Sequence, residues 1–193
     1  MWGMRSIWQL PSTQNTKDGR DVSEKKSVIT QGQRLVSADP NVVISTLLGS
    51  CVACCLWDPV IRAGGMNHML IAGRVTGETQ AALAGVNELE LLINDLLKLG
   101  AMRNRLKAKV FGGAQMVSGL SDIGPANCAF TLEFLARENI ECQAQSLGGD
   151  SARNLVFWPC TGAVRQRMQR LDIQPEPIVA APIEVSGNGL ELL

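Results

Sequence analysis

The sequence predicts a single α/β domain. Three observations carry that prediction. At 193 residues, with 46% hydrophobic and 19% charged side chains, the chain suits one core of ordinary size and buries enough apolar surface to offset its entropy. From Val42 onward, short β-rich runs are bounded by turn residues. Between those runs lie two stretches with helical spacing of apolar residues.

Residues 1–35 read as a polar N-terminal arm, with a Ser12-Thr13-Gln14-Asn15-Thr16 cluster and no sustained period. Trp2 and Trp8 are either anchors for that arm or incidental to it. The body, 36–164, opens with two strands, Val42 to Leu48 and Cys51 to Trp57, joined by a tight turn at Gly49-Ser50. Together they form eighteen uncharged residues between Asp39 and Asp58, close to the length of a bilayer span. Pro40, Asn41, Ser45, Thr46, Gly49 and Ser50 break the run into core strands, so no membrane segment is expected. A third strand, Gly65 to Ile71, follows the Asp58-Pro59 turn. Ala82, Val86, Leu89, Ile93 and Leu96 recur at spacings of four and three and predict a helix over 78–99, with Thr76 to cap it and Gly100 to end it. Arg103, Arg105, Lys107 and Lys109 alternate into Val110-Phe111, which predicts a strand with one charged face. A second helix is expected from Gly124-Pro125, where proline suits the first turn and Ala126, Phe130 and Phe134 stack at spacing four. Strands near 141–147 and 154–158 follow. The remainder, 165–193, is an Arg-rich segment expected as a short helix and then an extended tail with Pro175, Pro177 and Pro182.

Composition excludes several chemistries. Eighteen basic residues balance eighteen acidic ones, which leaves no overall field to hold a nucleic acid. His68 is the only histidine and there is no tyrosine, so a His-rich metal centre is excluded and any imidazole catalysis must use that residue. The six cysteines, at 51, 54, 55, 128, 142 and 160, are irregularly spaced in a chain too long to need staples, with no secretory signal at Met1; a reducing cytoplasm is expected.

The densest chemistry is Ser45-Thr46-Leu47-Leu48-Gly49-Ser50-Cys51, with His68 seventeen residues further on. A cysteine nucleophile needs a base, because only a few per cent of an unperturbed thiol ionises at neutral pH. If the strand from Gly65 returns beside Cys51, the thiol and the imidazole meet across neighbouring strands. A hydroxyl from Thr46 or Ser45 then orients the ring, and amides around Gly49, Ser50 and Cys51 hold an oxyanion. The alternative is a buried apolar cysteine and an ordinary core histidine. Cys51 and Cys54 also spell C-x-x-C, a redox or metal pattern, but a strand points those positions to opposite faces. Gly112-Gly113 is either a plain turn or a loop lining a site, and Asn127 either a helix-cap aid or a substrate contact. Between Gly148-Gly149 and Thr161-Gly162 stands Arg153, whose guanidinium either clamps a carboxylate or faces solvent. No phosphate loop is present.

Taken in order, Thr46 before Leu48-Gly49-Ser50-Cys51, His68, Lys109-Val110-Phe111-Gly112-Gly113-Ala114, Ile123-Gly124 with Asn127, and the Gly-Gly, Arg153, Thr161-Gly162 finish resemble the chemoreceptor glutamine deamidase family, CheD. The match runs from about Val42 to Val164. The resemblance implies a layered, mixed-sheet α/β sandwich related to bacterial deamidating toxins, and a Cys-His-Thr site that hydrolyses receptor glutamine side chains without metal or organic cofactor. Carried over, Cys51 matches the nucleophile and His68 the base; counting back six from Cys51 reaches Ser45, whereas the threonine is Thr46. Gly49, Ser50, Gly112, Gly113, Asn127, Arg153 and Thr161 match the loops around the site. The sequence departs from the pattern at Ile71, at Pro125-Ala126 and at Ala152. The resemblance further implies receptor cytoplasmic helices as substrate, a CheC-type phosphatase as partner in some bacteria, and glutamate methylesterase activity as a secondary reaction. The competing readings are a non-catalytic adaptor on chemotaxis proteins and a thiol redox protein using Cys51 and Cys54.

Overall fold

The computed structural model describes residues 24–70, 78–115 and 123–170. Trp2, Trp8, Ile71, Thr76 and the proline-containing tail lie outside them. Nine strands and two long helices are described: β1 Lys25–Val28, β2 Arg34–Ser37, β3 Val42–Leu48, β4 Val52–Asp58, β5 Ala63–Asn67, α1 Glu78–Lys98, β6 Lys107–Gly112, α2 Ile123–Arg137, β7 Glu141–Leu147, β8 Ala152–Trp158 and β9 Ala163–Gln169.

The strands form two mixed sheets, ordered β1-β3-β8-β9 and β2-β5-β4-β6-β7. β1 runs parallel to β3, and β6 parallel to β7 with α2 as the crossover; the other pairs are antiparallel. Ile44, Leu48, Leu155 and Phe157 of the first sheet meet Ala53, Cys55, Trp57, Met66 and Phe111 of the second. On the second sheet's other face Val52, Cys54, Leu56, Ala108 and Val110 pack with Leu89, Leu92, Ile93, Leu96, Phe134 and Leu135 of the helices. The result is three layers, sheet, sheet and helices, the α/β sandwich that the resemblance implies. β4 is buried on both faces, which is why it reads as a continuous apolar run rather than an alternating one. No helix among the described residues is long and apolar enough to cross a membrane.

Several expectations are corrected. The segment 24–35, read as part of the arm, carries β1 and the first half of β2, strands of four residues each and too short to show a period. β3 and β4 are not a hairpin, because the Gly49-Ser50 turn passes the chain from one sheet to the other. The third strand starts earlier than expected, at Ala63, pairs with both β2 and β4, and its regular part ends at Asn67. Arg103 and Arg105 lie in a 3-10 turn, not on a strand, and the four basic residues are paired one by one. Arg103 ties Glu90 of α1 to Glu138 after α2, and Arg105 Nε donates to the buried Asp58 at 2.8 Å. Lys107 meets Glu141, and Lys109 Nζ donates to Gly162 O at 2.7 Å while lying over the Trp57 ring. No free charged face results. The segment expected as a short helix after Gly162 is β9, an edge strand whose arginines protect it from further pairing; Arg165 stacks on Trp158.

Candidate active site

The site is assembled where the two sheets open at the start of β4. Val52 and Met69 exchange both backbone hydrogen bonds at 2.9 Å, extending the β4–β5 ladder past Asn67. Val52 and Met69 point toward the helices. Side chains alternate across a strand, so Cys51 and His68 take the opposite, inter-sheet face as diagonal neighbours, about 7 to 8 Å apart at the backbone and within reach of an imidazole. Cys51 does pack against the inter-sheet cluster. Asn67, fully buried, substitutes its side-chain carbonyl for a main-chain acceptor by taking the Cys54 N–H at 2.9 Å. His68 is clasped from its other side by the β1–β2 turn: its N–H donates to Gln33 O at 2.9 Å and its carbonyl accepts from Gly32 N at 2.7 Å.

The first sheet contributes the group that fixes the imidazole. Thr46 on β3 is buried and its Oγ1 lies 2.8 Å from Ile29 O and 2.7 Å from His68 Nδ1. A carbonyl only accepts, so the threonine proton goes to Ile29, and the hydroxyl oxygen must accept from Nδ1–H. The neutral ring therefore carries its proton on Nδ1 and keeps the lone pair on Nε2. Burial, the larger influence, holds the His68 pKa below its ordinary value, against an upward pull from the Ile29 carbonyl. The ring thus favours its neutral form, with a lone pair on Nε2. Ser45 points to the other face of β3, where its hydroxyl reaches Ser27 O at 3.4 Å. Thr46 is the hydroxyl in contact with the imidazole.

The glycine-rich loops buttress the nucleophile's turn. Gly49 O accepts from Ala114 N at 2.9 Å, Ser50 O from Asn127 Nδ2 at 3.2 Å, and Cys51 O from Gly113 N at 2.8 Å. Three consecutive carbonyls are pinned on one side. The approach is close enough to require glycine: a Cβ on Gly112, at φ 119°, would lie 2.1 Å from Cys51 O, and one on Gly113, at φ 68°, 2.1 Å from Cys128 Sγ. Behind them Gly148 N donates to Gly112 O at 2.9 Å. Arg153 neither faces solvent nor offers a clamp. It is 2% exposed and donates to Gly148 O, Ser151 O and Ser146 Oγ, holding the β7–β8 loop. Asn127, fully buried, holds the Ser50 carbonyl rather than only capping its helix. Thr161 is not brought to the site. β3 pairs Leu48 with Arg153, so the site lies at the start of β8, whereas Thr161 follows its end and bonds Trp158 O and Ala163 N in the β8–β9 turn.

Cys54 lies on the opposite face of β4 from this chemistry. Cys54 projects into the helix-facing core and Cys51 into the inter-sheet face, so the two cannot form a C-x-x-C couple without rebuilding β4. Burial pushes the Cys54 and Cys55 thiols well above their ordinary range. Among the described residues no cluster of histidine, cysteine and carboxylate side chains has the makings of a metal site. Sequence reasoning missed the β1–β2 turn, whose Gly32 and Gln33 hold the His68 main chain and whose Ile29 carbonyl receives the Thr46 hydroxyl. It also missed Gln31, whose Oε1 accepts from the Cys51 thiol at 3.9 Å. The available signal was Gly32 between two β-compatible tetrapeptides.

A family model described as CheD chemotactic sensory transduction matches residues 69–168. A protein of Caulobacter vibrioides (strain NA1000 / CB15N) named probable chemoreceptor glutamine deamidase CheD is 50% identical over 154 residues, 78% of this chain and 81% of its own. One of the same name from Rhizobium leguminosarum bv. trifolii (strain WSM2304) is 52% identical over 141 residues, covering 72% and 77%. Among solved structures, the Bacillus licheniformis hypothetical protein YfiH aligns with 66% of this chain and 60% of its own at a TM-score of 0.39 and 12% identity.

Proposed function

The chain belongs to the CheD family, and from that premise we propose that it hydrolyses glutamine side chains on the cytoplasmic helices of chemotaxis receptors to glutamate, with Cys51 as nucleophile, His68 as base and Thr46 as the residue that orients the base. The observation that carries the reading is the Thr46–His68 hydrogen bond at 2.7 Å, which leaves Nε2 as the basic nitrogen on the face shared with Cys51.

The steps follow from those groups. His68 Nε2 takes the Cys51 proton, and the thiolate adds to the carbonyl carbon of the substrate amide. Negative charge collects on the former carbonyl oxygen, where the amides of Ser50 and Cys51 are suited to receive it, their turn being pinned through its carbonyls. The imidazolium, stabilised by Nδ1–H donating to Thr46, protonates the departing nitrogen, and ammonia leaves. A thioester remains on Cys51. Water, deprotonated by His68, attacks it; the carbon–sulfur bond breaks, and glutamate and free thiol are regenerated. No metal or organic cofactor takes part. A glutamate methyl ester would give the same thioester, so methylesterase activity belongs to this reading as a secondary reaction. So do a cytoplasmic location and, where one is present, a CheC-type phosphatase partner.

The experiment is ammonia release from receptor cytoplasmic fragments by the wild-type chain, Cys51→Ala and His68→Ala in reductant. The reading expects release by the wild type alone. Release by Cys51→Ala at the wild-type rate would end it.

A further inference from the structure

The β1–β2 turn places a glutamine of the chain itself against the proposed nucleophile. Gln31 is exposed at the tip of that turn, yet its side-chain carbonyl accepts from the Cys51 thiol at 3.9 Å. The turn cannot drift away freely. Gly32, at φ 80°, and Gln33 are bonded through their main chains to His68, and Thr30 N donates to Gln33 Oε1 at 2.8 Å. The preceding Ile29 carbonyl receives the Thr46 hydroxyl. Ile29, Gly32 and Gln33 are therefore tied to the base or to the group that orients it, and Thr30 is tied to Gln33. The Gln31 carbonyl carbon lies one C=O bond of about 1.2 Å beyond the contacting oxygen. A rotation about its side-chain torsions brings that carbon toward the roughly 3 to 3.5 Å of a near-attack geometry.

We infer that Gln31 is a modification site: the chain deamidates its own Gln31 to glutamate through Cys51. The inference rests on the proposed role of Cys51 and adds a second, intramolecular substrate. The thiolate adds to Gln31 Cδ, the C–N bond breaks as the departing amide nitrogen takes a proton from the imidazolium and leaves as ammonia, and a thioester joins residues 51 and 31. Water then releases the thiol and leaves a glutamate side chain at position 31. The product puts a carboxylate beside Cys51. A like charge opposes ionisation of the thiol, and each unit of pKa rise removes about nine-tenths of the thiolate at a pH below that pKa. The self-modified chain is a slower enzyme whose amide-binding place holds its own carboxylate.

Gln33, two residues away with its amide oxygen bound to Thr30, supplies an internal control. The full chain and Cys51→Ala are incubated in reductant, with and without receptor cytoplasmic fragments, and position 31 is read by peptide mass spectrometry. The expected result is glutamate at position 31 in the wild type, glutamine there in Cys51→Ala, and glutamine at position 33 in both. Receptor glutamines converted while Gln31 stays intact would overturn the inference and leave the proposed function standing. Conversion of neither would overturn both, and equal conversion of Gln31 in Cys51→Ala would show that the thiol is not its agent. In a second measurement, Cys51 of Gln31→Glu should be alkylated about tenfold more slowly near neutral pH than that of the wild type; equal rates would overturn the contact on which the inference stands.

Discussion

Replacing Thr46 by valine tests the orienting bond directly. The substitution keeps the branched shape inside a packed interface and removes one hydroxyl that serves two partners, Ile29 O at 2.8 Å and His68 Nδ1 at 2.7 Å. During the reaction the second bond faces an imidazolium, and a hydrogen bond to a charged group contributes about 1.5 to 3 kcal/mol. At about 1.4 kcal/mol per tenfold in rate, kcat falls roughly ten- to hundredfold. KM should hold, because Thr46 is buried and does not face an incoming side chain. Leaving Ile29 O and Nδ1–H without their partner costs about 1 to 3 kcal/mol of folding stability. Urea titration sets the concentration range in which the variant is folded, and ammonia release from receptor fragments gives kcat. Thr46→Ser restores the hydroxyl and should recover most of the turnover. A Thr46→Val enzyme within about twofold of wild type, or a larger loss from Ser45→Ala, would refute the assignment.

Three further outcomes are expected. Because burial lowers the His68 pKa, the folded state favours the neutral ring; the associated stability is complete above the ordinary value of 6.5 and is lost as pH falls through the folded value. The melting temperature should decline across that acid window, and His68→Gln should flatten the decline. Asn127→Ala frees the Ser50 carbonyl and should lower kcat about tenfold or more once corrected for folded fraction, a bare stability loss with full turnover contradicting its role as a brace. Cys54→Ser puts a hydroxyl into the helix-facing core at a cost of about 1 to 3 kcal/mol, visible in urea titration, while turnover per folded molecule stays at the wild-type level; loss of turnover would implicate Cys54 in the chemistry.

What the sequence made legible follows from what each element buries. The two helices were readable because Leu89, Ile93, Leu96 and Phe134 all enter one core at helical spacing. β3 and β4 were readable as apolar runs, but nothing in a run bounded by Gly49-Ser50 distinguishes a hairpin from a crossing between sheets, since both need a turn. β1 and β2 gain their pairing from partners far along the chain, β3 and β5, so four residues of local pattern could not announce them. β9 carries its charges outward on an edge strand, and alternating arginines read as readily as helix. That Cys51 and His68 share the inter-sheet face was legible from spacing across two strands. The choice between Thr46 and Ser45 was not, because it depends on which face of β3 meets the second sheet. Gly112, Gly113, Asn127 and Arg153 were singled out correctly as unusual, yet their contacts are with main-chain and hydroxyl groups, a role that only three-dimensional register assigns.

The central claim is that Cys51 attacks the amide carbon and carries the acyl group. Hydroxylamine added during turnover of a receptor cytoplasmic fragment intercepts a thioester as the hydroxamate of the glutamine position, readable by peptide mass spectrometry. The account predicts hydroxamate with the wild-type chain, none with Cys51→Ala, and a receptor peptide attached at Cys51 after acid quench. Conversion of glutamine to glutamate at the full rate, with neither hydroxamate nor an adduct at Cys51, would contradict it.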